Sequence, residues 1–149
     1  MAIVSQFDRS MIEQFLKSTG LRYLRDSDGD FIVQFGFDVD RGNEMSVMLM
    51  ASGNMGQIYA IYTESTTIIQ PLDVERAIRM CNTWNTEKRW PKAYLRMRQD
   101  AGRSYGRIML EGQLDLEKGI HQELLDDFTS TIIATSNAFW EWAHKEHGF

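Results

Sequence analysis

Asp26, Asp28 and Asp30 stand at alternate positions, the spacing at which a loop wraps carboxylates around calcium. An EF-hand loop also requires glycine at its sixth place and glutamate at its twelfth. Counted from Asp26, those places hold Phe31 and Phe37. Aspartates beside Gly29 have another use: their side chains accept from nearby backbone N–H groups, and glycine permits a positive φ. The segment is therefore read as a turn between strands. Glu141, His144 and His147 recur every three residues, which brings them to one helix face and within reach of a metal ion. No further ligand stands out elsewhere in the chain, and histidine near a helix C-terminus also complements the dipole. No metal and no cofactor is expected.

Cys81, the lone cysteine, falls on an apolar helical stripe. A nucleophilic thiolate wants an exposed, electropositive setting and an orienting base, so Cys81 is read as a small buried hydrophobe. His121 is the one histidine away from the C-terminus, and no Ser, His and Asp grouping accompanies it. Asp38, Asp40 and Glu44 form the best acidic cluster, but they lie at a turn where solvation explains them. The glycines fall in strands and turns and never open a helix as a run, so no phosphate loop is read. No catalytic residue is assigned, and the chain is read as not an enzyme.

Trp84, Trp90 and Trp140 could wall a ligand pocket between the last helix and the sheet, which would make the chain a small-molecule sensor. The commoner use of Trp84 and Trp90 is to cap a core where helix meets strand, with the indole N–H bonded nearby. Asn82 and Asn85 would bond the loop backbone as it turns toward Pro91.

These residues must be held by elements, and the apolar periodicity supplies them. Asp8 as N-cap and Gly20 as stop bound a first helix over about 9–19. Leu21 to Arg25 reads as a short strand. Phe31 to Asp38 alternates, with Phe31, Val33, Phe35 and Phe37 on one face. Glu44 to Ala51 and Gln57 to Glu64 follow as strands, joined by short turns that make antiparallel hairpins. Pro71-Leu72-Asp73 opens a second helix with Asp73 as N-cap, and Val74, Ala77, Ile78, Cys81 and Trp84 line one face. Pro91 bars its continuation and pushes Trp90 toward extended geometry. Strands follow at 93–99 and 105–111. A long helix from about Ile120 to His147 carries Leu124, Leu125, Phe128, Ile132, Thr135, Phe139 and Ala143 as its main stripe. The order α-β-β-β-β-α-β-β-α predicts an α+β fold: an antiparallel sheet of five to six strands with helices mainly on one face.

The totals agree with one domain over 1–149. At 149 residues a chain buries roughly 70% of its unfolded surface and needs no staple. A net charge of −5 argues against a nucleic-acid partner, although Arg96, Arg98, Arg103 and Arg107 cluster locally. These arginines are read first as a solvated edge that resists aggregation, and second as a site for an acidic partner. One cysteine cannot form an internal disulfide, and the N-terminal Met-Ala-Ile-Val-Ser-Gln-Phe-Asp lacks a signal-peptide pattern. No apolar run is long enough to span a membrane. A cytoplasmic protein without membrane contact is expected.

Asn82-Thr83-Trp84-Asn85, then Arg89-Trp90-Pro91-Lys92-Ala93-Tyr94, then Leu114-Asp115-Leu116-Glu117 and Ser136-Asn137-Ala138-Phe139-Trp140 occur in this order over most of the chain. In that order they resemble the YbjN-like family of bacterial proteins, often labelled sensory transduction regulators. The resemblance implies a type III secretion chaperone-like fold, a bent antiparallel sheet that is often dimeric, and a non-enzymatic role in regulation or protein binding. It carries over no catalytic residue.

The methionines give that role a surface. Met48 and Met50 alternate with Val47 and Leu49. If helices cover the Val47 face, the methionine face is open or covered by a second subunit. With Tyr59, Ile61 and Tyr94 placed beside them, they would form an apolar patch of roughly several hundred Å², the size that marks an interface. Methionine also suits varied partners because it is flexible. The expected function is a non-catalytic regulatory or chaperone-like protein-binding domain that uses this face to form a homodimer or hold a client. Phe15, Phe31, Val33, Phe35, Ile78, Leu125, Phe128, Ile132 and Phe139 are expected in the core.

Overall fold

The computed structural model describes residues 3–149; Met1 and Ala2, the start of the N-terminal stretch read above, lie outside it. Asp8 caps the first helix, α1 (Arg9–Thr19): its carboxylate accepts from the Ser10 N–H at 2.9 Å, and Gly20 closes the helix in the left-handed region. Four strands follow: β1 (Leu24–Arg25), β2 (Phe31–Asp38), β3 (Asn43–Ser52) and β4 (Ile58–Ser65). A 3-10 turn over Pro71–Asp73 leads into α2 (Val74–Glu87), and then come β5 (Lys92–Asp100), β6 (Arg103–Asp115) and α3 (Gln122–His147). The element order is the one the periodicity predicts. The strands form one antiparallel sheet in the order β1-β2-β3-β4-β6-β5.

Some boundaries move for local reasons. The strand expected over 21–25 shrinks to two residues, because β1 pairs with β2 only through Leu24–Ile32 and Arg25–Phe31. The Asp73 side chain makes no cap bond, since the 3-10 turn already delivers the chain into α2. The last helix starts two residues later than expected, and His121 caps it by accepting from the Leu124 N–H through Nδ1 at 3.1 Å.

The core lies between the sheet and the helices. Val33, Met45, Val47, Leu49, Tyr59, Ile61, Ile108 and Leu110 rise from the sheet. They meet Ile12, Phe15 and Leu16 of α1, Met80, Cys81 and Trp84 of α2, and Leu125, Ile132, Phe139 and Trp140 of α3. Gly112 lets α3 approach β6: a Cβ there would stand 2.7 Å from Ile132. Of the expected core, Ile78 is exposed, and so is Leu124 of the expected stripe on the last helix. The buried stripe of α2 is Ala77, Met80, Cys81 and Trp84, and Ile78 lies about 100° round the helix from Ala77, off its centre. The stripe of α3 runs through Leu125, Thr129, Ile132, Ser136, Phe139 and Ala143, one position round from Leu124. Phe35 and Phe128 are half-buried.

The turn at Asp26–Asp30 is a backbone device. The Asp26 Oδ1 accepts from the N–H groups of Asp28 at 2.9 Å and Asp30 at 3.0 Å. The Asp30 carboxylate is buried and accepts from Arg9 Nε and the Ala51 N–H, each at 3.1 Å.

Candidate protein-binding face

Alternation along the central strands divides the sheet into two faces. Met45, Val47 and Leu49 of β3 pair with Ser65, Thr63 and Ile61 of β4, and all lie under the helices. The opposite face carries Met48 against Tyr62 and Met50 against Ala60. This corrects the expected patch: Tyr59 and Ile61 are fully buried on the helix side, and the neighbours of Met48 and Met50 are Tyr62, Ala60 and Ile58. Tyr94 does lie on the methionine face, opposite Met109.

Read across the strands, one row runs Ile32, Met48, Tyr62, Glu111, Lys92. That row is apolar over β2, β3 and β4 and charged over β6 and β5, while the next row runs Gln34, Ser46, Glu64, Met109, Tyr94, so the apolar patch is bounded by polar groups on two sides. Met48, Met50, Tyr62 and Tyr94 are half-buried, and among the described residues no helix packs on this face. The boundary between the halves is hydrogen-bonded. Glu111 accepts from Lys92 Nζ at 2.8 Å and from Gln113 Nε2, and Gln113 also donates to the Tyr62 hydroxyl at 3.0 Å. Burial opposes ionisation of Glu111, but the bonds from Lys92 and Gln113 outweigh it and hold its carboxyl below the usual range. Burial, then the Glu111 charge, pushes the Tyr62 and Tyr94 hydroxyls up. Where this face meets the ends of β2, β3 and β6, a cleft of about 570 Å³ opens between Gln34, Glu64, Arg98, Tyr105 and Arg107.

The tryptophans do structural work and line a different hollow from the one expected. The Trp84 indole donates to the Pro91 carbonyl at 3.0 Å, across the cis Trp90–Pro91 peptide, and its ring meets Phe139 edge-on at 5.2 Å. Trp140 is fully buried, its ring against Phe139. An open cleft of about 390 Å³ lies instead between the end of α2 and α3, walled by Trp84, Trp90 and Trp142. Its walls come from α2, the loop before β5 and α3, and Ile132 of α3 stands close over Gly112 of β6.

The remaining candidate groups are committed elsewhere. His144 Nδ1 bonds the Phe149 carbonyl at 2.7 Å, while the His147 ring packs on Trp142, so the two histidines do not converge with Glu141. Asp38 accepts from the N–H groups of Asp40 and Arg41, and Asp40 pairs with Lys145 at 3.0 Å. Cys81 is buried, and burial pushes its thiol up to about 11. A thiol reagent at about pH 8 should therefore leave the folded protein unlabelled and react once it is denatured; rapid labelling of the folded chain would contradict this packing.

The sequence pattern of the YbjN family, described as "Putative bacterial sensory transduction regulator", matches residues 8–145. The chain belongs to the YbjN family. A solved structure, "Crystal structure of YbjN, a putative transcription regulator from E. coli", superposes with a TM-score of 0.72 at 12% identity, covering 97% of each chain. At that identity the likeness to E. coli YbjN shows the fold. No curated protein matches the chain. Among the described residues, no helix of this YbjN-family member is long and apolar enough to cross a membrane.

Proposed function

We propose that this YbjN-family chain is a non-catalytic regulatory domain that holds a protein partner, a second copy or a client segment, on the open face of its sheet. The observation that carries this reading is the one-sided cover: α1, α2 and α3 all pack on the Val47 face, so that among the described residues no element stands above Met48, Met50 and Tyr62. Flexible methionines beside tyrosines can repack against varied surfaces while their area supplies affinity. The family's regulatory description favours the same role. The free, buried thiol fits a reducing compartment, and we place the domain in the cytoplasm.

Met48→Glu tests this reading. A charge placed in the centre of the apolar half would have to be desolvated by any partner, at a cost of several kcal/mol. Mass by light scattering and capture of purified tagged copies should show assembly with the wild type and its loss in the variant, with circular dichroism unchanged. A wild type that stays monomeric and retains nothing, or a variant that assembles equally well, would defeat the proposal.

A further inference from the structure

β5 is the last strand of the sheet, and its outer edge is only partly closed. Asn85, near the end of α2, donates from Nδ2 to the Ala93 carbonyl and accepts at Oδ1 from the Ala93 N–H, each at 2.9 Å. Those two bonds are the pair that a neighbouring strand would make. They also fix the orientation of the strand. Residues in phase with Ala93, namely Leu95, Met97 and Gln99, turn their N–H and C=O outward, while Tyr94, Arg96 and Arg98 bond β6. Beyond Ala93, no backbone or side-chain group among the described residues closes this edge. Pairing with β6 runs unbroken from Lys92 to Asp100, so no bulge turns the edge away. Arg96, Met97 and Gln99 are exposed.

The side chains select what can add there. Arg96 and Arg98 point to the open face, and Arg107 of β6 stands directly opposite Arg96. Like charges in that position repel. Glu64 is the carboxylate that reaches the group, 3.2 Å from Arg98 and 3.7 Å from Arg107, and Arg96 has no acidic partner among the described residues. Two of the three guanidiniums therefore share one carboxylate and the third has none, beside an unpaired backbone, in a chain whose net charge is −5. A second copy is disfavoured as the added strand. A two-fold pairing centred on Arg96, Met97 or Arg98 sets an arginine of one copy against an arginine of the other.

We infer that β5 accepts an extended, acidic segment of a partner protein as an added strand. Acidic residues of that segment face Arg96 and Arg98, and apolar residues alternate with them beside Leu95 and Met97. The inference rests on the protein-binding reading above but uses a surface separate from Met48 and Tyr62. Its test is fluorescence anisotropy of the full chain with a labelled peptide of about eight alternating glutamates and valines, a usual strand length. The peptide should bind, and its lysine–valine counterpart should bind at least roughly tenfold more weakly. The double substitution Arg96→Glu with Arg98→Glu should reverse that order. Met97→Pro removes an outward N–H and keeps the ladder to β6, so it should weaken binding by roughly tenfold with unchanged circular dichroism. Met48→Glu should leave the peptide affinity unchanged, which separates this edge from the open face. Absence of binding, equal binding by Met97→Pro, or tighter binding of a single-stranded oligonucleotide that displaces the peptide would overturn the inference.

Discussion

Phe139→Ala is expected to lower the free energy of unfolding by about 3–5 kcal/mol, the range for emptying a large aromatic site in a packed core. Phe139 is fully buried, and its ring lies 5.2 Å from Trp84 and from Trp140, edge-on to both. It also meets Trp142 at 5.9 Å. Removing it deletes three aromatic contacts and leaves a hollow that the rigid indoles cannot fill, since Trp84 is tied to Pro91 through its N–H. Because α2, α3 and the 88–91 loop meet there, the loss should appear as one cooperative shift in thermal unfolding, roughly 2–4 °C per kcal/mol at this chain length. Phe128→Ala should cost less, since Phe128 is half-buried and touches Tyr59 at 6.1 Å and Trp90 at 6.4 Å. Equal losses at the two positions, or a loss below about 1 kcal/mol at Phe139, would mean that the junction of α2 and α3 is not packed as described.

Asp30→Ala is expected to cost about 2–4 kcal/mol, because it strips the acceptor from the Ala51 N–H and the counter-charge from Arg9 together. One carboxylate oxygen ties α1, β2 and the end of β3. Arg9 keeps 37% of its side chain in solvent, which screens its charge, so most of the loss falls on the stranded backbone N–H. Asp30→Asn retains an acceptor for that N–H and should recover about half of the loss. Urea unfolding of the three proteins checks this, and a neutral Asp30→Ala would show that the turn stands without its buried carboxylate.

The two substitutions also mark what was legible in the chain. Phe139 was readable because a helical stripe repeats over seven turns, long enough for the period to declare itself. Asp30 was readable as a turn residue, but its bonds to Arg9 and Ala51 lie 21 residues away in sequence on either side, beyond any local pattern. The exposure of Ile78 has a local origin instead. Cys81 and Trp84 lie within 60° of each other on α2, and Ile78 is in step with Cys81 yet falls on the flank. The open face was half legible. Alternation sorts each strand into two sets of side chains without saying which set matches across the hairpin. Register decides that: the turn at Gly53–Gly56 sets Met48 against Tyr62, and a slip of one residue would have set Met48 against Ile61 and Met50 against Tyr59. Loop length carried the missing signal. Trp140 and Trp142 show the matching ambiguity on a helix, where two residues of separation decide between core and cleft wall.

The claim that the methionine face is a gripping surface is tested most directly by photo-cross-linking in cells, with benzoylphenylalanine placed at Tyr62. A control probe goes at Glu75, on the solvent side of α2. Discrete higher-mass products from the Tyr62 probe, weakened by Met48→Glu and absent from the Glu75 probe, are the predicted result. No product at Tyr62, or the same products from both positions, would contradict the account.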